Sequence, residues 1–339
     1  MDDSHAKNTS LSLRIEALRT GKNPESIKEV TMNSSQVAFN QVQKKRIRFR
    51  YETSGRWYKG SMHLHTVSSD GHLILEELVQ KYAGEKFDFI SITDHWCFPQ
   101  LNGNRQTLPL LVIDGVELDG YDNLGTYYHV LVIGASLKPP ILTGNFLKAL
   151  RIAYSQGAVL IWAHPYWTGN SIQEGLRHKF HGLEIYNHSS QCENGSGYAL
   201  AHWDGMLNHN PDFLGFATDD SHFLPDQPYW KGGWIMVNAA ECSRQDILEG
   251  IRQGNFYATQ GPEFKTIQYG DNKVTVETSA VTYVRLIGPR RTGKWIHALG
   301  KEPFCRAEFE LPCDWPYARL EIEDAGGKRA WSNPLWFFG

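Results

Sequence analysis

The chain has 339 residues, 41% hydrophobic and 21% charged, which is typical of a folded protein with room for one large domain and a smaller one. Its formal net charge of −3 argues against general binding to nucleic acid or to an anionic membrane. The five cysteines form no Cys-x-x-Cys pair and are odd in number, which argues against a disulfide framework or a thiolate zinc site. Because the polar N-terminus lacks a secretory pattern and no apolar stretch is long enough to span a membrane, we expect a cytoplasmic protein.

The first 55 residues predict an N-terminal appendage. Apolar residues between positions 11 and 18 predict a short helix, and a polar stretch then leads to the alternating run 46–51, which is typical of a strand. These residues indicate no role for the segment.

Short apolar runs, separated by helical segments or loops, recur from Gly60 onward. The runs are residues 87–92, 110–113, 130–133, 159–162, 183–186 and 213–217. Helical patterns fill two of the gaps, at 73–82 and 145–155, and the second ends just before Gly157. This alternation predicts an α/β fold with a barrel of repeated βα units over residues 56–262.

The residue pattern of the sequence changes after Pro262. Alternating segments rich in β-branched residues follow at 274–276, 281–287, 304–309 and 318–322. Such segments are typical of strands, so we predict a small all-β, sandwich-like domain over residues 263–339.

Polar side chains of the metal-ligand type follow most of the apolar runs before position 262. They are Asp94-His95, Glu117, His164 and Asp219-Asp220-Ser221-His222. In a βα barrel the residues that follow the strands face one rim, which is where such folds place their sites. We therefore expect these side chains to converge.

The spacing of His63 and His65 by itself indicates metal binding. Alternate residues of a strand point to the same side, so both imidazoles can bind one ion. Asp220 and His222 repeat this spacing, and Asp70 lies in the loop after His65, where it can supply an oxygen ligand to a neighbouring ion. Two such pairs favour a metal site over a purely structural role.

An isolated histidine is more often a hydrogen-bonded structural residue than a ligand, and we interpret several histidines in this way. They are His5, His72, His178, His181, His202, His209 and His297. His129 stands at a strand start and is a weak candidate by itself. Asn187 and His188 follow the run 183–186 and are candidates for substrate contact, although structural hydrogen bonding explains them equally well.

Four motifs closely resemble the PHP (polymerase and histidinol phosphatase) superfamily, over residues 60–262. They are the segment 60–71 with His63-Leu64-His65 and Asp70-Gly71, then Thr93-Asp94-His95, Ala163-His164-Pro165 and Asp220-Ser221-His222. Within that superfamily, the segments 114–117, 129–134, 254–262 and 330–334 look like the branch that contains the CehA/McbA carbamate hydrolases.

The resemblance implies a distorted (β/α)7 barrel that holds up to three metal ions. The implied ligand sets are His63, His65, Glu117 and Asp220 for the first ion, Glu117, His129 and His164 for the second, and Asp70, His95 and His222 for the third. No ligand position of the family is missing, so the resemblance favours an active enzyme over a degenerate scaffold.

Imidazole and carboxylate ligands suit Zn²⁺, Mn²⁺ or Fe²⁺ better than Ca²⁺, and two or three such ions are expected. The mechanism that follows is attack on a small-molecule substrate by a metal-bridging hydroxide, because metal binding lowers the pKa of water from 15.7 to about 7. Glu117 and Asp220 are the expected bridges between the ions. Asp94 is expected to orient His95 or accept a proton, with a structural role as the alternative.

Three functions remain open from the sequence. Hydrolysis of a phosphomonoester or phosphodiester comes first, since three ions can grip the oxygens of a phosphoryl group, although Arg105, Arg177 and Lys231 are the only cationic candidates for substrate binding. Hydrolysis of a carbamate, amide or carboxyl ester is favoured by the branch motifs and by aromatic residues predicted near the rim, which are Trp96, Tyr166, Trp167, Trp203, Tyr229 and Trp230. A non-catalytic, metal-bound interaction module is the third. The sequence specifies neither the substrate, the metal nor the oligomeric state.

Overall fold

The computed structural model describes residues 48–98, 107–135, 142–227, 229–290, 292–312 and 314–337. The elements below belong to one compact unit made of Arg48–Leu311 and Trp315–Phe337. The helix predicted between positions 11 and 18 lies outside the described residues. No helix in the described ranges has the length and apolar composition needed to cross a membrane.

Strands outnumber helices along the described chain. The strands are β1 (Arg48–Phe49), β2 (Arg56–Ser61), β3 (Phe89–Ile92), β4 (Leu111–Tyr121), β5 (Tyr127–Ile133), β6 (Val159–Trp162), β7 (Gly182–Asn187), β8 (Leu214–Thr218), β9 (Trp234–Ala239), β10 (Phe256–Thr259), β11 (Phe264–Gly270), β12 (Lys273–Val281), β13 (Tyr283–Ile287), β14 (Gly293–His297), β15 (Phe304–Glu310), β16 (Arg319–Glu323), β17 (Arg329–Ser332) and β18 (Trp336–Phe337). The helices are α1 (Leu75–Gly84), α2 (Phe146–Ser155), α3 (Pro165–Thr168), α4 (Ile172–Gly175), α5 (His188–Asn194), α6 (Leu200–Leu207) and α7 (Arg244–Gln253).

A mixed sheet of 13 strands organises the fold, in the order β14-β13-β16-β17-β10-β9-β2-β3-β4-β5-β6-β7-β8. The strands β2, β3 and β4 are parallel neighbours, and so are β6, β7 and β8. All six strands predicted between positions 87 and 217 are present in this sheet. The fold is thus α/β, as predicted.

The sheet departs from a pure βα repeat at β4 and β5, which pair antiparallel as a hairpin. The turn is held by Asp122, whose side chain accepts hydrogen bonds from the backbone N–H groups of Leu124 (2.8 Å) and Thr126 (3.0 Å). The strand predicted at 110–113 continues to Tyr121. The second half of this strand is not an apolar run in the sequence, because several of its side chains are polar and face a cavity instead of the core.

The chain segments that follow β2 and β8 meet at an isolated parallel bridge between Leu64 and Ser221. The backbone N–H of His65 donates to the Ser221 carbonyl (3.1 Å), and the N–H of Asp220 donates to the His63 carbonyl (3.0 Å). The bridge therefore places the predicted pair His63 and His65 beside the predicted pair Asp220 and His222.

Both helices predicted between the apolar runs, at 73–82 and 145–155, are present, and each buries one apolar face. The helix α2 begins after Asn145, whose side chain accepts from the Lys148 N–H (2.9 Å) and so satisfies one of the free amides of the first turn. It buries Phe146, Ala149, Leu150 and Ala153. Gly157, with a φ of 73°, takes the left-handed conformation that ends the turn before β6.

Every element described between residues 263 and 337 is a strand, which agrees with the predicted all-β texture. The strands β11, β12 and β15 form a separate three-stranded sheet, whereas β13, β14, β16 and β17 extend the large sheet through the pair β10–β17. The sheet pairing therefore runs across position 262. The run predicted at 46–51 contributes β1, which pairs with β18.

Two glycine substitutions test the close approach of β7 and β8. A Cβ at Gly182 would lie far inside van der Waals contact with the Leu214 carbonyl oxygen and 2.9 Å from its carbonyl carbon, whereas a Cβ at Gly84 on α1 meets nothing within 4 Å. We expect Gly182→Ala to lower the free energy of unfolding by about 1–3 kcal/mol through overpacking. Gly84→Ala should raise it by about 0.5–1 kcal/mol, because alanine loses less backbone entropy in a helix.

Urea denaturation of both variants and of the wild type measures these changes. An unchanged stability for Gly182→Ala would contradict the packing of β7 on β8 described here.

Candidate metal centre

All nine predicted ligands gather in one cluster. Four overlapping groups have potential ligand atoms within 4.8 Å of one another, and these groups are His63, His65 and Asp220; His63, Glu117 and His164; His95, Glu117 and His129; and His65, Asp70, His95 and His222. Each of the nine belongs to at least one group. They come from the segments that follow β2, β3, β6 and β8 and from the β4–β5 hairpin.

The buried carboxylate of Glu117 lies at the middle of the cluster. Its Oε2 is 3.0 Å from His63 Nε2 and 3.2 Å from His65 Nε2. Its Oε1 is 2.7 Å from His129 Nδ1 and 3.4 Å from His164 Nε2. Two ligands of one tetrahedral ion lie about 3.3 Å apart when each bond is about 2.0–2.1 Å long. The two oxygens therefore face different imidazole pairs, as a bridging carboxylate does.

Asp220 is the second carboxylate shared by several imidazoles. Its Oδ1 lies 3.2 Å from the Nε2 atoms of both His63 and His65, and its Oδ2 lies 3.8 Å from His164 Nε2. Asp220 has a φ of 54° and His164 a φ of 23°, both in the left-handed region that non-glycine residues rarely adopt. Such backbone strain is found mainly at functional sites.

Asp70 lies close to the outer imidazoles of the cluster. Its Oδ1 lies 3.2 Å from His65 Nδ1, and its Oδ2 lies 3.3 Å from His222 Nε2 and 3.6 Å from His95 Nε2. The Asp70 side chain is half exposed, unlike that of Glu117. This end of the cluster is thus the more open one.

The carboxylates and imidazoles shift one another's protonation. Burial lowers the pKa of His63, but the charges of Asp220 and Glu117 outweigh burial and hold this pKa well above its ordinary value. Burial likewise raises the pKa of Glu117, but His63 and His129 outweigh it and hold that pKa well below its ordinary value. In the metal-free protein these shifts favour the imidazolium form of His63 and the carboxylate form of Glu117.

Two buried atoms at the centre fit a bound cation. His65 Nε2 and Asp220 Oδ1 lie 3.2 Å apart, yet neither makes an aligned hydrogen bond to any residue that the structure describes. A buried polar atom without a partner is costly, and a divalent ion shared by both atoms would satisfy them. Imidazole nitrogen with carboxylate oxygen is the ligand set of Zn²⁺, Mn²⁺ and Fe²⁺. The residues present thus fit divalent metal ions.

Asp94, predicted as a catalytic residue, supports the loop that carries Asp70. Its Oδ1 accepts from the Thr66 N–H (2.7 Å) and the Ser69 hydroxyl (2.7 Å), and its Oδ2 accepts from the Thr66 hydroxyl (2.6 Å). Asp94 is fully buried and does not line the cavity above the cluster. All three of these hydrogen bonds join Asp94 to the loop that carries Asp70.

The cationic residues predicted for substrate binding lie away from the cluster or outside the described residues. Arg177 donates to Asp122 Oδ2 (3.0 Å), and Lys231 donates to Glu85 Oε1 (2.9 Å). Neither lines the cavity, and Arg105 lies outside the described residues. Both described cations therefore have acidic partners of their own.

Asn187 and His188, the other two candidates for substrate contact, also make internal hydrogen bonds. Asn187 is fully buried, and its Nδ2 donates to Asp220 Oδ2 (3.1 Å). His188 Nδ1 is hydrogen-bonded to the Tyr186 hydroxyl (2.9 Å). Neither side chain lines the cavity. Of the seven histidines interpreted as structural, the six that are described belong to none of the ligand groups, and His5 lies outside the described residues.

An open cavity of about 570 Å³ lies directly over the cluster. Seven of the nine ligands line it, and only His63 and His65 do not. Its other walls include Asp119, Tyr127, Trp167, Glu193 and Leu224, and no lysine or arginine of the described chain lines it. A ligand in this cavity would contact the metal ligands on one side and acidic, aromatic and apolar groups on the other.

Two residues near the ligands were not predicted from the sequence. Asp119 Oδ1 lies 3.2 Å from His95 Nδ1, and its Oδ2 accepts from the Tyr127 hydroxyl (2.6 Å). Its position two residues after Glu117 on one strand is a usable signal, since i and i+2 face the same side. Glu184 lies within the apolar run 183–186, and a charged residue inside a buried strand is itself a signal.

No family model matches the sequence, and no curated protein matches it. Among solved structures, the chain is similar to a protein from Bacteroides vulgatus described as a two-domain protein that contains a predicted PHP-like metal-dependent phosphoesterase. The TM-score is 0.50 and the identity 19%, over 82% of this chain and 94% of that chain. A likeness at this identity shows a shared fold.

Two further structures match half of the chain. One is a candidate metal-dependent phosphoesterase from Bifidobacterium adolescentis, with a TM-score of 0.38 and 11% identity over 50% of this chain and 89% of that chain. The other is an amidohydrolase from Chromobacterium violaceum, with a TM-score of 0.36 and 12% identity over the same shares. Both likenesses are distant.

Removal of one central ligand should lower the metal content. We expect His63→Ala and Asp220→Ala to bind fewer ions per chain than the wild type after loading with Zn²⁺ or Mn²⁺ and desalting, as measured by plasma mass spectrometry. The matched control is His209→Ala, because His209 is exposed and belongs to no ligand group. Equal losses in all three variants would mean that the cluster is not the metal site.

Metal binding should release protons near pH 7, because an imidazole must lose its proton to bind an ion. The raised pKa of His63 means that this proton is bound at neutral pH in the metal-free protein. Affinity should therefore rise as the pH rises through the neutral range. Calorimetric titration with Zn²⁺ in two buffers of different ionisation enthalpy counts the released protons, and a count of zero would contradict the charge state described here.

Proposed function

We propose that the chain is a metal-dependent hydrolase. One observation carries the proposal: nine imidazole and carboxylate side chains from distant parts of the chain converge in four overlapping groups, each with its potential ligand atoms within 4.8 Å of one another, under an open cavity. A fold shared with a protein described as PHP-like and metal-dependent supports it. A purely structural role would not require three acids, two of them buried, to face six histidines beside a cavity.

The ligand sets implied by the PHP resemblance are consistent with the distances. Glu117 and Asp220 are the proposed bridges, because the two oxygens of each carboxylate face different imidazoles. His65 and His95 each belong to two of the groups, so they lie between the proposed ion positions. We propose two or three divalent ions, with Zn²⁺, Mn²⁺ and Fe²⁺ as the candidates.

We also propose the distorted seven-stranded barrel of the PHP superfamily for residues 56–262, with residues 263–339 as a small β-sandwich-like domain that shares the large sheet with it through β10 and β17. The bridge between Leu64 and Ser221 supports the barrel, since it joins the segments at the two ends of the strand series β2 to β8. The β4–β5 hairpin accounts for the distortion. Membership of the CehA/McbA branch rests on the sequence motifs alone.

Divalent ions held here would lower the pKa of a bound water towards neutrality and polarise the oxygen of the bond under attack. The residues of the chain would hold these ions and orient the metal ligands. Glu117 and Asp220 keep the ions close, and their charge offsets the mutual repulsion of the ions. Asp119 and Tyr127 fix the ring of His95, which is a quarter exposed towards the cavity.

A phosphoester is the substrate class that the charges favour. Only three of the nine ligands are carboxylates, so a centre with three divalent ions would keep a net positive charge even with a bound hydroxide, and this charge would attract phosphoryl oxygens. Asp119 and Glu193 add negative charge to the cavity walls, and the described lining supplies no lysine or arginine. The combination of a positive centre with acidic walls suits the single negative charge of a phosphodiester better than the double negative charge of a phosphomonoester.

A carbamate, amide or carboxyl ester is the second candidate. Trp167 lines the cavity with 43% of its surface exposed, so an apolar or aromatic group of a neutral substrate has a wall to pack against. The predicted aromatic rim is present only in part, because Trp203 is fully buried and donates its indole N–H to the Phe213 carbonyl.

A panel of chromogenic substrates tests the proposal. The panel consists of p-nitrophenyl phosphate, bis-p-nitrophenyl phosphate, an aryl carbamate and an aryl ester, each with protein loaded with Zn²⁺ or Mn²⁺. We expect the highest kcat/KM for the diester, by about tenfold over the monoester, which corresponds to about 1.4 kcal/mol of transition-state stabilisation.

The variants and outcomes separate the candidates. His63→Ala should abolish turnover of the preferred substrate, and His209→Ala should leave it unchanged. Preference for the carbamate or the aryl ester would favour the second candidate. No turnover by protein shown to carry two or more ions would favour the non-catalytic interaction module.

A further inference from the structure

We propose that Glu184 and Asn187 are positioning residues that set the orientation of three metal ligands, His63, His164 and Asp220, and thereby the affinity of the site for divalent ions. The inference rests on the proposed metal-dependent function. Neither residue belongs to a ligand group or lines the cavity, so both act through the ligands that they contact.

Glu184 is fully buried, and both of its oxygens are used twice. Oε1 accepts hydrogen bonds from His63 Nδ1 (2.7 Å) and from the Thr218 hydroxyl (2.8 Å). Oε2 accepts from the backbone N–H of His164 (2.8 Å) and from Asn187 Nδ2 (2.8 Å). A carboxylate with four donors has no remaining lone pair to offer to an ion.

The bond to Glu184 decides which nitrogen of His63 faces the centre. Since the carboxylate only accepts, Nδ1 carries the proton, and Nε2 is directed at Glu117 Oε2 (3.0 Å) and Asp220 Oδ1 (3.2 Å). An imidazole binds an ion through the nitrogen that lacks a proton. Glu184 therefore selects the tautomer that can bind metal and fixes the ring plane.

Glu184 and Asn187 also hydrogen-bond to His164 and Asp220, the two metal ligands whose backbone is strained. The N–H of His164, whose φ is 23°, is bound directly by Glu184. The side chain of Asp220, whose φ is 54°, accepts from Asn187 Nδ2 at 3.1 Å. Without these bonds, both residues are free to relax towards ordinary backbone conformations, which moves their ligand atoms.

An irregularity in β7 allows both side chains to reach the same place. Residues i and i+3 of a regular strand point to opposite faces of a sheet. In the pairing with β8, Glu184 is opposite Phe216 and Tyr186 is opposite Ala217, so Ile185 is an extra residue. Such bulges redirect side chains near functional sites. Here the bulge brings Glu184 and Asn187 within one hydrogen bond of each other.

The test replaces the carboxylate by an amide of the same size. Glutamine at position 184 presents one accepting oxygen and one NH₂ group, so either the pair His63 and Thr218 or the pair His164 and Asn187 then faces a donor. We expect Glu184→Gln to weaken Zn²⁺ binding by about 10–100-fold, the usual effect of losing an outer-shell partner. Competition against a fluorescent zinc chelator measures the affinity, and thermal unfolding of the metal-free protein checks the fold.

Two further variants make the test specific. Thr218→Val removes a donor to the same carboxylate. Because the Thr218 side chain forms no hydrogen bond to a metal ligand, Zn²⁺ affinity should change by less than about threefold. Asn187→Ala cuts the link from Glu184 to Asp220 and should weaken Zn²⁺ binding, and it carries the test if Glu184→Gln does not fold. Long-range ¹H–¹⁵N spectra of the zinc-loaded wild type should show the His63 proton on Nδ1.

The possible failures are distinguishable. If the wild type binds no Zn²⁺, the proposed function fails and this inference fails with it. If the wild type binds Zn²⁺ and folded Glu184→Gln or Asn187→Ala binds it equally well, only the positioning role is overturned. A His63 proton on Nε2 in the zinc-loaded wild type also overturns it.

Discussion

The contact of the buried Glu117 carboxylate with the imidazoles around it is the constraint on which the rest of the site depends. A carboxylate in the protein interior is costly unless it is paired, and here the two oxygens face four histidines. The β4–β5 hairpin, the strained backbone at His164 and Asp220, and the Glu184 hydrogen bonds all serve to bring those imidazoles to it. Removal of any one partner weakens the compensation of this buried charge.

The sequence predicts the inner part of the site well because its signal is local. The i and i+2 spacing of His63 with His65, and of Asp220 with His222, depends only on the geometry of an extended chain. Six of the strands before position 262, β3 to β8, are also predicted, since buried strands are continuous apolar runs. The structure places all nine predicted ligands within one cluster.

Other features depend on tertiary structure and were not predicted. Lys231 and Arg177 bind Glu85 and Asp122, and the partner of a long cationic side chain cannot be inferred from spacing along the chain. The second half of β4 was missed because its polar residues face a cavity. The role of Glu184 depends on the bulge at Ile185, which leaves no clear pattern in a single sequence.

The bridge between Leu64 and Ser221 has a consequence for how the protein reaches its functional form. The ligands on either side of this bridge are far apart in sequence, and contacts of this kind form slowly because a long loop must close first. A partly synthesised or partly folded chain therefore lacks a complete ligand set. Ions that bind only the closed chain stabilise it by mass action, so metal supply and folding yield become linked quantities.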